Sequence, residues 1–163
     1  MPLKDICDKI SSSEDVELCM ATIQSAAANS AVHDTSNMDV SVALTLSING
    51  NIAYANTAVQ RIKELLRDTT RVNNETRECL TTCDEMYSDS IEDLEQVKKE
   101  IKEKTTTSDI VALLDGVVNE YTSCQDEFNE ASLASVISEY QEQLESMANI
   151  NLALAQIIWP KSS

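Results

Sequence analysis

The residues of this chain whose types could do chemistry are five cysteines, a single histidine and a large surplus of carboxylates. Cys7 and Cys19 bracket the triplet Ser11-Ser12-Ser13. That spacing suits a local disulfide closing a loop of about 12 residues, which contributes about 3 kcal/mol on the chain-entropy model. The other three are Cys79, Cys83 and Cys124. Cys79 and Cys83, four residues apart, share a helix face, so a metal site competes with a bridge. Structural zinc takes four ligands drawn from Cys and His, and the one histidine, His33, stands far along the chain in a polar stretch. No metal and no cofactor are therefore expected, and disulfides imply an oxidising compartment.

Catalysis finds little support in the same inventory. No glycine loop is present to cradle a phosphate, and no nucleophile has a base beside it. Adjacent acids such as Asp84 and Glu85 point in different directions on a helix and cannot work as a dyad. The chain does not read as an enzyme.

The charge balance says more about partners. With 28 acidic against 12 basic residues the formal net charge is -16, which argues against nucleic acid and anionic membranes. A positively charged partner is the natural complement. No stretch reaches the ~20 apolar residues of a membrane span, and "MPLKDICDK" lacks the apolar core of a signal peptide. The expectation is a soluble protein that, if secreted, is shown already processed. The sequon Asn74-Glu75-Thr76 could accept a glycan on that route. It falls between two helical segments, where a glycan is tolerated.

The elements that must hold these residues are helices. Two Gly and two Pro occur in 163 residues, where average usage would supply roughly 20 of the two combined. One stretch resists: "ALTLSINGNIAYAN", residues 43–56, alternates apolar and polar residues about Asn49-Gly50, the pattern of a β-hairpin. A longer window shows a different period. Val40, Ala43/Leu44, Ser47/Ile48, Asn51/Ile52, Ala55, Val59, Ile62 and Leu66 step by threes and fours for some seven turns. The helical pattern outlasts the alternating one, and Gly50 inside a helix costs about 1 kcal/mol relative to Ala.

Three more stripes follow. Residues 72–104 place Leu80, Cys83, Tyr87, Ile91, Leu94, Val97 and Ile101 on one face, with Lys98, Lys99, Lys102 and Lys104 in the closing turns, where the helix dipole favours cations. Residues 108–128 carry Ile110, Leu114, Val117, Tyr121, Cys124 and Phe128. Residues 132–158 carry Leu133, Ile137, Tyr140, Leu144, Met147, Leu154 and Ile158, and Pro160 stops the chain. Start signals stand at Ser36 with Asp39, at Thr106 with Asp109 and at Ser132. Short connections imply antiparallel neighbours, so the fold class is all-α, an up-and-down four-helix bundle over 34–163 preceded by an N-terminal helical hairpin over 1–33, one domain overall. In an antiparallel pair, partners lie nearly equidistant from the turn. The midpoint of 83 and 124 falls close to the Lys104–Thr107 connection, and that of 79 and 124 about two residues further away, which pairs Cys83 with Cys124 and leaves Cys79 a free thiol.

The hairpin's apolar residues Leu3, Ile6, Ile10, Val16, Leu18 and Ile23 need covering. Packing on the bundle and a homodimer through the hairpin both answer that need. Ser90, Asn151 and several alanines at core positions leave a helical ligand carrier as another reading.

Against this background the chain resembles the plant invertase and pectin methylesterase inhibitor family. The resemblance rests on "ICDKISSSEDVELC" at the start, "CDEMYSDSIEDLE" from Cys83 to Glu95, "SCQDEF" from Ser123 to Phe128 and "NLALAQII" near the end. It implies a secreted protein of the cell wall that blocks a pectin methylesterase or an acid invertase in a reversible noncovalent 1:1 complex, the bundle covering the substrate cleft. Invertase-directed members tend to carry a Pro-Lys-Phe segment after the third bundle helix, where this chain reads "FNEASLAS". An enzyme acting on a polyanion tends to have basic cleft surroundings, which the -16 charge complements. Both points favour pectin methylesterase over invertase. The docking surface expected from this reading comprises Asp84, Glu85, Asp89, Glu92 and Asp93 on the second bundle helix, with Asn119, Glu120 and Gln125 on the third.

Overall fold

The structure is a computed structural model and describes residues 1–10, 13–31, 34–104 and 107–160. Among the described residues six helices follow one another: α1 (Leu3–Cys7), α2 (Ser13–Ala28), α3 (Val40–Arg67), α4 (Asn74–Glu103), α5 (Thr107–Glu130) and α6 (Ser138–Ile158). No strand occurs among the described residues. The ambiguous stretch around Asn49-Gly50 lies in the middle of α3. Helix α3 packs on α4, α4 on α5, α5 on α6 and α6 back on α3. That closed sequential ring is the up-and-down bundle that short connections require. The hairpin α1–α2 lays α2 against α3 and α6.

Gly50 explains how closely α2 can sit. A Cβ at this position would stand 2.3 Å from Thr22 Cγ2. The hydrogen of glycine lets the two helices approach where any side chain would collide. Leu3, Ile6, Ile10 and Ile23 are buried within the chain, and the hairpin's apolar residues join those of the bundle in one continuous cluster. The segment before α3 runs back beside the N-terminal residues, with Leu3 N–H donating to Thr35 O (2.9 Å) and Met38 N–H to Met1 O (2.8 Å).

The helix boundaries correct two expected start signals. Asp39, not Ser36, caps α3, accepting from Ser41 N–H at 2.8 Å. Ser36 instead bonds Asp34 through both its N–H and its hydroxyl. Ser132 does not open the last helix. It adopts a left-handed conformation (φ 57°) just beyond α5, while Leu133 N–H donates to Phe128 O at 2.9 Å. This six-to-one bond with a left-handed residue is a Schellman closure, so Ser132 ends α5, and α6 begins six residues later at Ser138. Thr106, Ser11, Ser12 and His33 lie outside the described residues. Asn74 is the first residue of α4 with an exposed side chain, not a loop residue, and Asn73 before it caps the helix by accepting from Thr76 N–H at 2.8 Å.

A chain of polar side chains runs through the apolar core and touches all four bundle helices. Ser47 Oγ donates to Asn151 Oδ1 (2.5 Å), Asn151 Nδ2 to Asn51 Oδ1 (3.1 Å), and Asn51 Nδ2 to the Tyr121 hydroxyl (2.8 Å). Ser90 Oγ lies 2.6 Å from Tyr87 O and 3.1 Å from the Tyr121 hydroxyl. Its single proton goes to the carbonyl, so the Tyr121 phenol donates to Ser90 Oγ. The Tyr87 hydroxyl donates to Gln141 Oε1, and Gln141 Nε2 donates to the backbone carbonyl of Tyr121. Tyr87 and Tyr121 meet edge to face at 5.6 Å. Every member is buried yet partnered, the condition under which a polar core is tolerated. The core polarity foreseen at Ser90 and Asn151 is thus taken up in hydrogen bonds.

Candidate functional site

Two disulfides staple this frame. Cys7 and Cys19 join α1 to α2, and Cys83 and Cys124 join α4 to α5 with their Cα atoms 4.7 Å apart. Cys79 is free and buried; its Sγ lies 3.6 Å from Glu127 O of α5. Burial, with the carboxylates of Glu127 and Glu78 behind it, raises the Cys79 thiol above its ordinary range. Among the described residues no three His, Cys, Asp or Glu side chains converge to hold a metal ion.

The acidic residues of α4 and α5 divide by their angle around each helix, which advances about 100° per residue. Glu85, Asp89, Glu92 and Asn119 are exposed, whereas Asp84, Asp93, Glu120 and Gln125 are half-buried. Asp84 stands about 180° from Asp93 around α4. Since α5 flanks α4 on one side and α3 on the other, Asp84 belongs to the α3 flank, where its Oδ1 is enclosed without a hydrogen-bond partner. Gln125 is displaced by about 140° from Glu120 and bonds Asn129 on its own helix at 3.0 Å. The eight residues do not make one patch.

What the fold does bring together is Asp89, Asp93 and Glu120. Asp93 hydrogen-bonds Glu120 across the α4–α5 seam, and Glu120 Oε2 is shielded from solvent without a partner of its own. Desolvation first, then the hydrogen bond and charge of Asp93 and the charge of Asp89, push the Glu120 acid up to about 9. Like charges this close cannot both ionise, so Glu120 holds a proton at neutral pH. Beside the pair a groove of about 470 Å³ opens along the seam, walled by Asp93, Gln96, Glu100 and Asp109. Ala112 and Gly116 border it with little or no side chain to fill it. The sequence showed each acid but not this convergence: distance from the turn sets only height along the pair, and which flanks of α4 and α5 meet is decided by packing.

This arrangement offers shape and charge. Among the described residues no helix is long and apolar enough to cross a membrane. The family model described as plant invertase/pectin methylesterase inhibitor matches residues 2–154. No curated protein matches the chain. Among solved structures, a pectin methylesterase inhibitor from Arabidopsis thaliana superposes with a TM-score of 0.66 at 13% identity, covering 98% of this chain and 97% of that one. A mutant form of a pectin methylesterase inhibitor from Arabidopsis gives a TM-score of 0.67 at 12% identity, with 90% and 97% covered. At such identities the structures speak for a shared helical fold. The match over nearly the whole chain does more: this protein belongs to the plant invertase/pectin methylesterase inhibitor family.

Proposed function

We propose that the chain is a secreted cell-wall inhibitor of a pectin methylesterase, binding reversibly, one to one, over the enzyme's substrate cleft. The observation that carries this reading is the family match over residues 2–154, and the charge distribution supports the choice of target. A net charge of -16 steers the molecule toward a basic surface. The exposed acids Glu85, Asp89 and Glu92, with Asn119 and the seam around Asp93 and Glu120, form the docking face in this proposal. Asp84 and Gln125, turned to other flanks, contribute at its margins. The rigid bundle gives up little conformational entropy on binding, which favours a preformed blocking surface.

The family also includes invertase inhibitors, and the same experiment separates the two targets. Purified protein is titrated against a plant pectin methylesterase and a plant acid invertase at mildly acidic pH. Expected is inhibition of the methylesterase at micromolar concentration or below, weakening as salt is raised. No effect on the methylesterase at micromolar protein removes the proposal, and inhibition of the invertase alone reassigns the target. Inhibition that ignores salt removes the electrostatic part.

A further inference from the structure

Basic side chains are unevenly spread over this acidic molecule. Of its 12 lysines and arginines, Lys98, Lys99, Lys102 and Lys104 crowd the end of α4. The helix dipole accounts for cations in the last turn and cap, which hold Lys102 and Lys104; Lys98 and Lys99 stand earlier. Lys98 pairs with Glu95 at 3.7 Å. Lys99, Lys102 and Lys104 are exposed and make no ion pair among the described residues. Lys98, Lys99 and Lys102 line a groove of about 370 Å³ between α4 and Thr45 of α3, with Glu95 and Ile101. The α3 wall does not neutralise them, since residues 40–60 include no charged side chain.

Ile101 also borders a second hollow, of about 410 Å³, at the end of the bundle. There Trp159, the one tryptophan of the chain, stands half-exposed with Lys104, Ser41, Asp39 and Glu100 around the same space. The two hollows thus make one track, with ammonium groups and a hydroxyl along it and an indole, a hydroxyl and carboxylates at its end. That composition suits a sugar chain that carries carboxylates. An indole face takes the apolar side of a sugar ring, Asp39 and Ser41 have oxygens to accept from its hydroxyls, and the lysines pair with the carboxylates. A polyanion without sugar rings would engage the lysines alone.

We infer that the corner formed by the start of α3, the end of α4 and Trp159 binds an acidic polysaccharide, a polyuronate. Its source rests on the function proposed above: hydrolysis of a pectin methyl ester leaves a carboxylate on the sugar, so the product of the target enzyme is the ligand. Lys98 and Lys102 are turned by about 140° and 180° from Asp93 around α4. The polysaccharide and the docking face can therefore be occupied together, which holds the inhibitor where de-esterification has taken place. The net charge of -16 does not forbid this, because charges beyond about 8 Å are largely screened at physiological salt. Single contacts on such a surface are weak, and affinity accumulates along the chain.

The test is binding, with no enzyme present, so its failure and a failure of inhibition are separate results. The disulfide-intact protein is titrated with sodium polygalacturonate at mildly acidic pH and about 0.15 M salt, and the fluorescence of Trp159 is followed. Expected is a saturable change in emission, with binding at least about tenfold weaker in Lys98→Gln/Lys99→Gln/Lys102→Gln. Fully methyl-esterified pectin and polyglutamate should bind far more weakly than polygalacturonate. Absent binding, equal affinity for the esterified polymer or for polyglutamate, or unchanged affinity in the folded variant overturns the inference. Should the variant not fold, the comparison of the three polymers on the wild type decides.

Discussion

Asp93 on α4 and Glu120 on α5 meet carboxyl to carboxyl across the seam between their helices, joined by a hydrogen bond with Asp89 close by. An acid held protonated in the folded state and free to ionise in the unfolded chain makes stability depend on pH. With the Glu120 acid at about 9 against an ordinary glutamate near 4.3, neither state is penalised below the unfolded value. Above it the unfolded chain releases a proton that the folded one keeps, so this group's contribution is lost as pH rises toward 9. Urea midpoints should therefore fall between pH 5 and pH 8, and Glu120→Gln should flatten that slope. An equal slope in the variant would locate the effect elsewhere.

The contact between Gly50 and Thr22 predicts a coupled pair. Gly50→Ala drives a methyl into Thr22 Cγ2 and should cost about 1–3 kcal/mol by overpacking. Thr22→Ser removes the obstructing methyl. In the double variant the helix preference for Ala over Gly, about 1 kcal/mol, should reappear as a gain. Denaturant melts of the four proteins measure the coupling, and strict additivity would deny the contact.

Gly116 has the opposite prospect. A Cβ there would meet nothing nearer than Glu120 Oε1 at 4.0 Å, so Gly116→Ala should stabilise α5 by about 0.4–1 kcal/mol. Because Gly116 borders the groove of the proposed docking face, the same variant should inhibit a pectin methylesterase less well while melting higher. Unchanged inhibition would place the enzyme contact away from this groove.

The two disulfides close loops of 12 and 41 residues. Chain entropy then assigns them about 3 and about 4 kcal/mol. Cys83→Ala with Cys124→Ala should lower the urea midpoint more than Cys7→Ala with Cys19→Ala. The reverse order would mean that the hairpin, not the bundle, limits stability.

Cys79 should behave as a sealed thiol. Buried, with its thiolate disfavoured by desolvation, it should react with iodoacetamide at least about tenfold more slowly in the native protein than in urea, where burial is gone. Fast native labelling would show that the α4–α5 seam opens readily near Glu127.

Sequence alone was enough for the six helices' order, the free Cys79 and both disulfides, because helical period and distance from a turn are properties of a single line of residues. The stripe of α5, from Ile110 to Phe128, is buried at every expected position. The stripe of α3 is less even at its end, where Leu65 is buried and Leu66 only half so. The tertiary structure decided everything that depends on which helix lies to each side. It turned Ser132 from a helix start into a helix end, since a left-handed residue is recognised by where its neighbours' bonds go. It separated Asp84 and Gln125 from the acids they seemed to accompany and joined Asp93 to Glu120. It also drew Gln141, Ser47 and Asn51 into one buried chain with Tyr121. A residue's angle around its own helix is written in its position, but the atom waiting at that angle belongs to a distant segment, and only packing brings the two together.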